Sequence, residues 1–138
     1  MNKDCCELKF NSEMIRIRNM VRYLMDFVDN HAPGCEARDD LRLVFSELLC
    51  NAVIHGNKLD NKKFVHVHVS ARNGRLSASI KDECPGFDYN KIIEYAKTSE
   101  ALYDGHGRGI LLASALTENL SFNETGNLIR FEMRLNSG

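Results

Sequence analysis

Three short stretches of this 138-residue chain bring together groups able to do chemistry. The first is Glu47 to His55, ELLCNAVIH. Glu47, Asn51 and His55 recur at every fourth residue, so on a helix they form one polar row beside an apolar face. Asn is a poor helix former in mid-helix. A carboxylate and an amide one turn apart can address one ligand, and the amide oxygen of Asn51 suits Mg²⁺, a hard cation that takes oxygen ligands. A solvated face of an amphipathic helix fits the same row. The second stretch is Asp82 to Asp88, DECPGFD. Its Pro and Gly are turn formers and Asp caps backbone amides, so a plain turn accounts for it. As a site, Asp82 would accept a hydrogen bond from a ligand amine, and Gly86 would let the backbone come close to the ligand. The third is Gly105-His106-Gly107-Arg108-Gly109, just before an apolar run. Glycines there free the backbone to wrap an anion, and a helix N-terminus offers unpaired N–H groups and partial positive charge. Arg108 would add charge-assisted bonds to a phosphate. Taken alone, a GxGxG equally describes a loop that holds no ligand.

The elements that must position these groups can be read from periodicity. Leu8 and Phe10 alternate with polar neighbours and predict a short first strand. Ser12 is placed to cap a helix whose stripe is Ile17, Val21, Leu24 and Val28, ending at His31-Ala32-Pro33-Gly34. A second helix is expected over residues 36–55, burying Leu41, Val44 and Leu48, with Gly56-Asn57 as its stop. Val65, Val67 and Val69 alternate with polar residues, as do Leu76, Ala78 and Ile80. Asn73-Gly74 between them is a hairpin signal, because both residues tolerate positive φ. A short helix is expected over 91–97 and a mobile stretch over 98–109. An apolar helix over 110–116 follows, then strands at 120–122 and 129–135 around a turn at Thr125-Gly126-Asn127. Hairpins mixed with helices predict an α/β two-layer sandwich, its sheet mainly antiparallel and its helices on one face.

Bulk composition excludes more than it identifies. Eighteen basic and 19 acidic residues leave a formal charge of -1, which calls for neither a nucleic-acid surface nor an anionic membrane. No apolar run approaches the roughly 18 residues that span a bilayer, and the polar start does not resemble a targeting segment. The five cysteines form no CxxC pair, so reduced thiols in a cytoplasm are expected rather than a metal site or a disulfide framework. The length fits one domain over 1–138.

Together the stretches are far more specific than any one alone: ExxxN on a helix, DxxxG after a strand, then GxGxG opening a helix. In that order they resemble the GHKL ATPases, whose members share a Bergerat-type ATP-binding fold. Within that superfamily, ELLCNAVIHGN, KDECPGFD and GHGRGILLASAL are similar to the anti-sigma-factor serine/threonine kinases of bacterial partner-switching pathways. The resemblance runs from about Leu8 to Leu135.

The resemblance implies ATP and Mg²⁺ as ligands. Asn51 would hold Mg²⁺, and Glu47 would be the general base toward the attacking hydroxyl. Asp82 would bind the adenine amine with Gly86 beneath the base. Gly105, His106, Gly107, Arg108 and Gly109 would surround the phosphates, residues 98–104 would form a lid, and His55 would lie near the nucleotide. It further implies phosphoryl transfer to a small anti-sigma-antagonist protein, sequestration of a sigma factor and a homodimer. A binding module that holds a regulator without phosphoryl transfer is the alternative. Two positions depart from the family pattern: Cys84 stands at a usual glycine of the adenine loop, and Asn127 at a frequent threonine.

Overall fold

The computed structural model describes residues 4–84 and 108–136. Strand β1 (Cys5–Asn11) leads into helix α1 (Met14–His31). Its apolar positions fall on one side, so Ile17, Val21, Leu24, Met25 and Val28 are buried. The expected cap is not made. Glu13 occupies the N-cap position without a side-chain bond, because the Ser12 hydroxyl is engaged elsewhere, donating to the Lys63 carbonyl at 3.0 Å.

Helix α2 (Arg38–Cys50) starts two residues later than expected, with Asp39 and Asp40 in its first turn, where carboxylates favour the helix dipole. It buries Leu41, Val44, Phe45, Leu48 and Leu49. The sequence predicts regular helix to His55, but the chain widens over Asn51–Gly56 into a π turn. The Asn57 N–H closes that turn on the Ala52 carbonyl at 2.8 Å, and the Leu59 N–H reaches back to Val53 at 2.8 Å. Such widened turns insert one residue into the helical ladder and are frequent at functional sites.

Strands β2 (Phe64–Arg72) and β3 (Arg75–Lys81) form the expected hairpin. Asn73 and Gly74 have φ of 54° and 76°, the paired positive angles of a tight twisted turn. Helix α3 (Arg108–Leu116), strand β4 (Glu118–Phe122) and strand β5 (Leu128–Arg134) follow. β4 begins earlier than its apolar residues suggest. Its register shifts between Glu118 and Ser121, and Asn119 there takes a φ of 54°. The expected helix over 91–97 and the stretch 98–107 lie outside the described residues.

The sheet runs β1-β2-β3-β5-β4 with every pair antiparallel. Alternate residues of each strand, such as Val65, Val67, Val69, Leu76, Ala78, Ile80, Ile129 and Phe131, meet the helices in one core. Phe45 of α2 and Phe131 of β5 pack with their rings tilted by 56° and 5.9 Å between centroids. Lys9, His66, His68, Lys81 and Arg130 lie exposed on the other face. This is the two-layer α/β sandwich expected, with α2 packed against both α1 and α3 in the helical layer.

Candidate functional site

Helix α2 and its π turn gather the described site residues. Glu47 is half-buried on the last turns of α2, where α3 packs beside it. Gly109, buried in the first turn of α3, comes so close that a Cβ there would lie 2.6 Å from Glu47 Oε2 and 3.1 Å from Glu47 Cβ. A side chain at 109 would have to displace the carboxylate, and glycine leaves it in place. The candidate base and the last glycine of the GxGxG thus meet across the interface between two helices. Arg108 is exposed at the start of the same helix.

Asn51 opens the π turn one helical turn after Glu47. Its Nδ2 is buried and has no hydrogen-bond partner among the described residues. A buried donor left unpaired costs on the order of 1–3 kcal/mol, a cost that a ligand atom accepting from Nδ2 removes. Among the described residues no bond holds this Nδ2, and an amide oxygen is the ligand type that Mg²⁺ takes, so Asn51 fits the Mg²⁺ ligand that the resemblance implies. His55 lies exposed within the π turn.

Asp82 stands at the other end of this helix. It keeps the parity of Ile80, so its side chain points toward the helices, and its N–H donates to the Asn127 carbonyl at 3.0 Å. A Cβ added to Gly56 would fall inside the Asp82 carboxyl group. Only a glycine at the end of the π turn lets Asp82 lie against the helix. Burial pushes the Asp82 carboxyl up to about 6, with the Cys84 N–H at 2.8 Å and the charge of Lys63 opposing the shift. Glu47 and Gly56 are nine residues apart, about 13 Å of helical rise. The helix thus carries Glu47 beside the N-terminus of α3 and, at its end, Gly56 against the desolvated carboxyl of Asp82.

Gly86, Gly105, His106 and Gly107 lie outside the described residues. Cys84 does not have positive φ, so the departure from glycine there carries no left-handed strain. The Asn127 side chain is used within its own turn, accepting from Asn123 at 2.7 Å and Thr125 at 2.8 Å. The sequence presents Gly56-Asn57 as a helix stop and as the end of the ELLCNAVIHGN motif, with no contact role for either residue. Gly56 is in fact the close approach to Asp82, and Asn57 is fully buried, bonded to Ser12, Phe64 and Glu83. Among the described residues no group of His, Cys, Asp or Glu is arranged to hold a metal, none of the five cysteines is in a disulfide, and no helix is long and apolar enough to cross a membrane.

Away from these residues, a groove of about 520 Å³ runs between α1 and α2. Ile17, Val21 and Met25 lie along it, and Arg18, Arg22, Arg38 and Arg42 line it with Asp26.

Comparison with known proteins agrees with this geometry. An anti-sigma F factor of Lysinibacillus sphaericus is 24% identical over 96 residues, covering 69% of this chain and 66% of that protein. An anti-sigma F factor of Clostridium perfringens is 24% identical over 115 residues, covering 80% of this chain and 82% of that protein. The structure of the RsbU and RsbW domains of a Mycobacterium tuberculosis protein superposes with a TM-score of 0.62 at 17% identity. That superposition covers 96% of this chain, which spans about a third (32%) of the mycobacterial one. Residues 10–133, nearly all of the sandwich, match the family described as the histidine kinase-like ATPase domain, and the chain therefore belongs to that family of ATP-binding domains, with the GHKL fold and a kinship to anti-sigma factors.

Proposed function

We propose that the chain is an ATP-dependent serine/threonine-protein kinase that acts as an anti-sigma factor, phosphorylating a small anti-sigma-antagonist protein and sequestering a sigma factor. The observation that carries the enzymatic part is the Glu47–Gly109 contact beside Asn51, whose buried Nδ2 has no partner among the described residues. A binding module needs neither a carboxylate facing a glycine-opened helix N-terminus nor a buried amide without a partner.

Glu47 accepts the proton of the attacking hydroxyl. Gly109 keeps the start of α3 clear beside Glu47, Arg108 adds a cation at the same end, and Gly105 and Gly107 are the further residues that would hold the phosphates. Asn51 would hold Mg²⁺ through its amide oxygen, and the ion would supply positive charge against the phosphates. Asp82 holds the adenine amine at the far end of α2, with Gly86 under the base. Such transfer rests on positioning and on fixed electrostatics rather than on covalent chemistry by the protein.

The relatives named anti-sigma F factor support the regulatory half of the reading. The groove between α1 and α2 adds to it, because apolar residues flanked by four arginines suit an acidic, amphipathic surface on a partner. We take the chain to act as one domain over 1–138, in the cytoplasm and as a homodimer.

Incubation with γ-labelled ATP, Mg²⁺ and a candidate antagonist tests the proposal. Label on an antagonist Ser or Thr is the expected result. No label, together with calorimetry that shows no heat at millimolar ATP, overturns the reading, whereas ATP binding without transfer leaves the binding module as the function.

A further inference from the structure

The hydrogen-bonded ladder between β2 and β3 ends one pair early, and a side chain takes the place of the missing pair. His66 is opposite Lys81, so the same register would next oppose Phe64 and Glu83, exchanging two backbone bonds. Neither bond is made. The Phe64 N–H donates instead to the Glu83 carboxylate. The Phe64 carbonyl accepts from Asn57 Nδ2 at 2.9 Å, and the Glu83 N–H donates to Asn57 Oδ1 at 2.7 Å. A carboxamide has the same donor and acceptor as a peptide group, so Asn57 sits between the strands as one peptide-like spacer. Its Nδ2 also donates to Ser12 Oγ at 2.6 Å, and the residue has no exposed surface. Every polar atom of the wedge is satisfied, so its position is rigid.

The wedge lies next to the candidate base-binding carboxylate. Gly56 abuts Asp82 and Asn57 grips the backbone of Glu83, so two consecutive residues at the end of the π turn hold two consecutive residues at the end of β3. We propose that Asn57 is a positioning residue for base selectivity: by holding Glu83 off β2 it sets the direction of the chain at Asp82 and aims that carboxylate at the 6-amino group of a purine. This rests on the reading of Asp82 as the acceptor for the adenine amine. Asn57 itself touches no nucleotide. Its effect is on the ratio of affinities for 6-amino and 6-oxo purine nucleotides, since a misaimed carboxylate loses the amine bond and ceases to repel a 6-oxo group.

The test is calorimetric titration of ATP and of inosine triphosphate into the parent, Asn57→Ser and Ser12→Ala. Ser12→Ala removes one bond of the wedge but leaves its grip on Glu83, so its ATP preference should equal the parent's even with a lower Tm. Asn57→Ser is too short to reach Glu83, and its ATP preference should fall by about tenfold, the worth of one such hydrogen bond. A folded Asn57→Ser that keeps the parent's preference overturns the proposal. A parent that binds the two nucleotides equally overturns the reading of Asp82 itself. If Asn57→Ser does not fold, hydrogen exchange at the Glu83 amide of the nucleotide-free parent decides. Protection is expected, and exchange at the rate of an exposed loop overturns the preset grip.

Discussion

At the scale of single residues, the proposed function gives Glu47 and Asp82 separable tasks. Glu47 contacts the α3 glycine rather than the base end of the site, so Glu47→Ala should lower phosphoryl transfer roughly 10²–10⁴-fold, the usual range for a positioned base. ATP affinity should stay near the parent's, as single-turnover transfer and calorimetry would show together. Asp82 brings a pH dependence. Its carboxyl is raised by burial to about 6 from an ordinary 3.8. Between those values the unfolded chain gives up the proton while the folded one keeps it, so stability falls as pH rises through that window and levels off above 6. Nucleotide affinity runs the other way. The amine bond favours the ionised carboxylate, so ATP should bind more tightly at pH 7.5 than at pH 5. In Asp82→Asn the part of this dependence due to Asp82 should disappear, and calorimetry across pH would show whether it does. Cys84, by contrast, takes an ordinary backbone angle, so Cys84→Gly relieves no strain and is expected to leave ATP affinity unchanged or slightly weaker.

At the scale of elements, the site depends on how closely helices and strands approach. Gly109 is where α3 meets α2. Gly109→Ala gains helix propensity, up to about 1 kcal/mol, but its Cβ would crowd Glu47 Oε2 at 2.6 Å. The expected result is a Tm close to the parent's and transfer reduced by roughly 10²-fold, as for a misplaced catalytic group. Thermal unfolding and rate measurement on one preparation would check both, and an unchanged rate would remove this contact from the mechanism. The π turn over Asn51–Gly56 belongs to the same scale. It ends α2 on Gly56 against Asp82, where a continued regular helix would present a different residue.

At the scale of the whole molecule, the sheet and the helices divide the work. One sheet face is covered by α1, α2 and α3, and the candidate site residues Glu47, Asn51 and Asp82 lie on or beside α2 and its π turn. The arginine-lined groove opens between α1 and α2. Arg38 in it is held by Asp29 through bonds of 2.7 and 3.0 Å, a bidentate pairing that keeps the Asp29 carboxyl below its usual range. Arg18 and Arg42 are exposed. The double variant Arg18→Glu, Arg42→Glu should abolish binding of an acidic regulator while leaving ATP affinity as it was. Pull-down of the partner and nucleotide titration on the same protein would show it, and retained partner binding would place the interface elsewhere.

Much of this architecture was legible in the residues alone. The alternation in Val65–Val69 and Leu76–Ile80, the Asn73-Gly74 turn and the stripe Leu41-Val44-Leu48 each follow from a local rule, and each stands in the structure. The spacing of Glu47 and Asn51, and the order of the motifs, were local information too. What sequence periodicity could not decide is where the elements touch. Ser12 reads as a helix cap, yet the tertiary structure gives its hydroxyl to Lys63 and Asn57, residues 51 and 45 positions away. Gly56-Asn57 reads as a helix stop. Whether it also holds Asp82 and Glu83 depends on β3 arriving beside the end of α2, a contact across 26 residues for which no local spacing codes. Local propensity sets an element's type because neighbouring residues determine its backbone. The aim of a carboxylate is set by whatever packs against it, and for Asp82 that is decided only when the sheet and α2 close on one core.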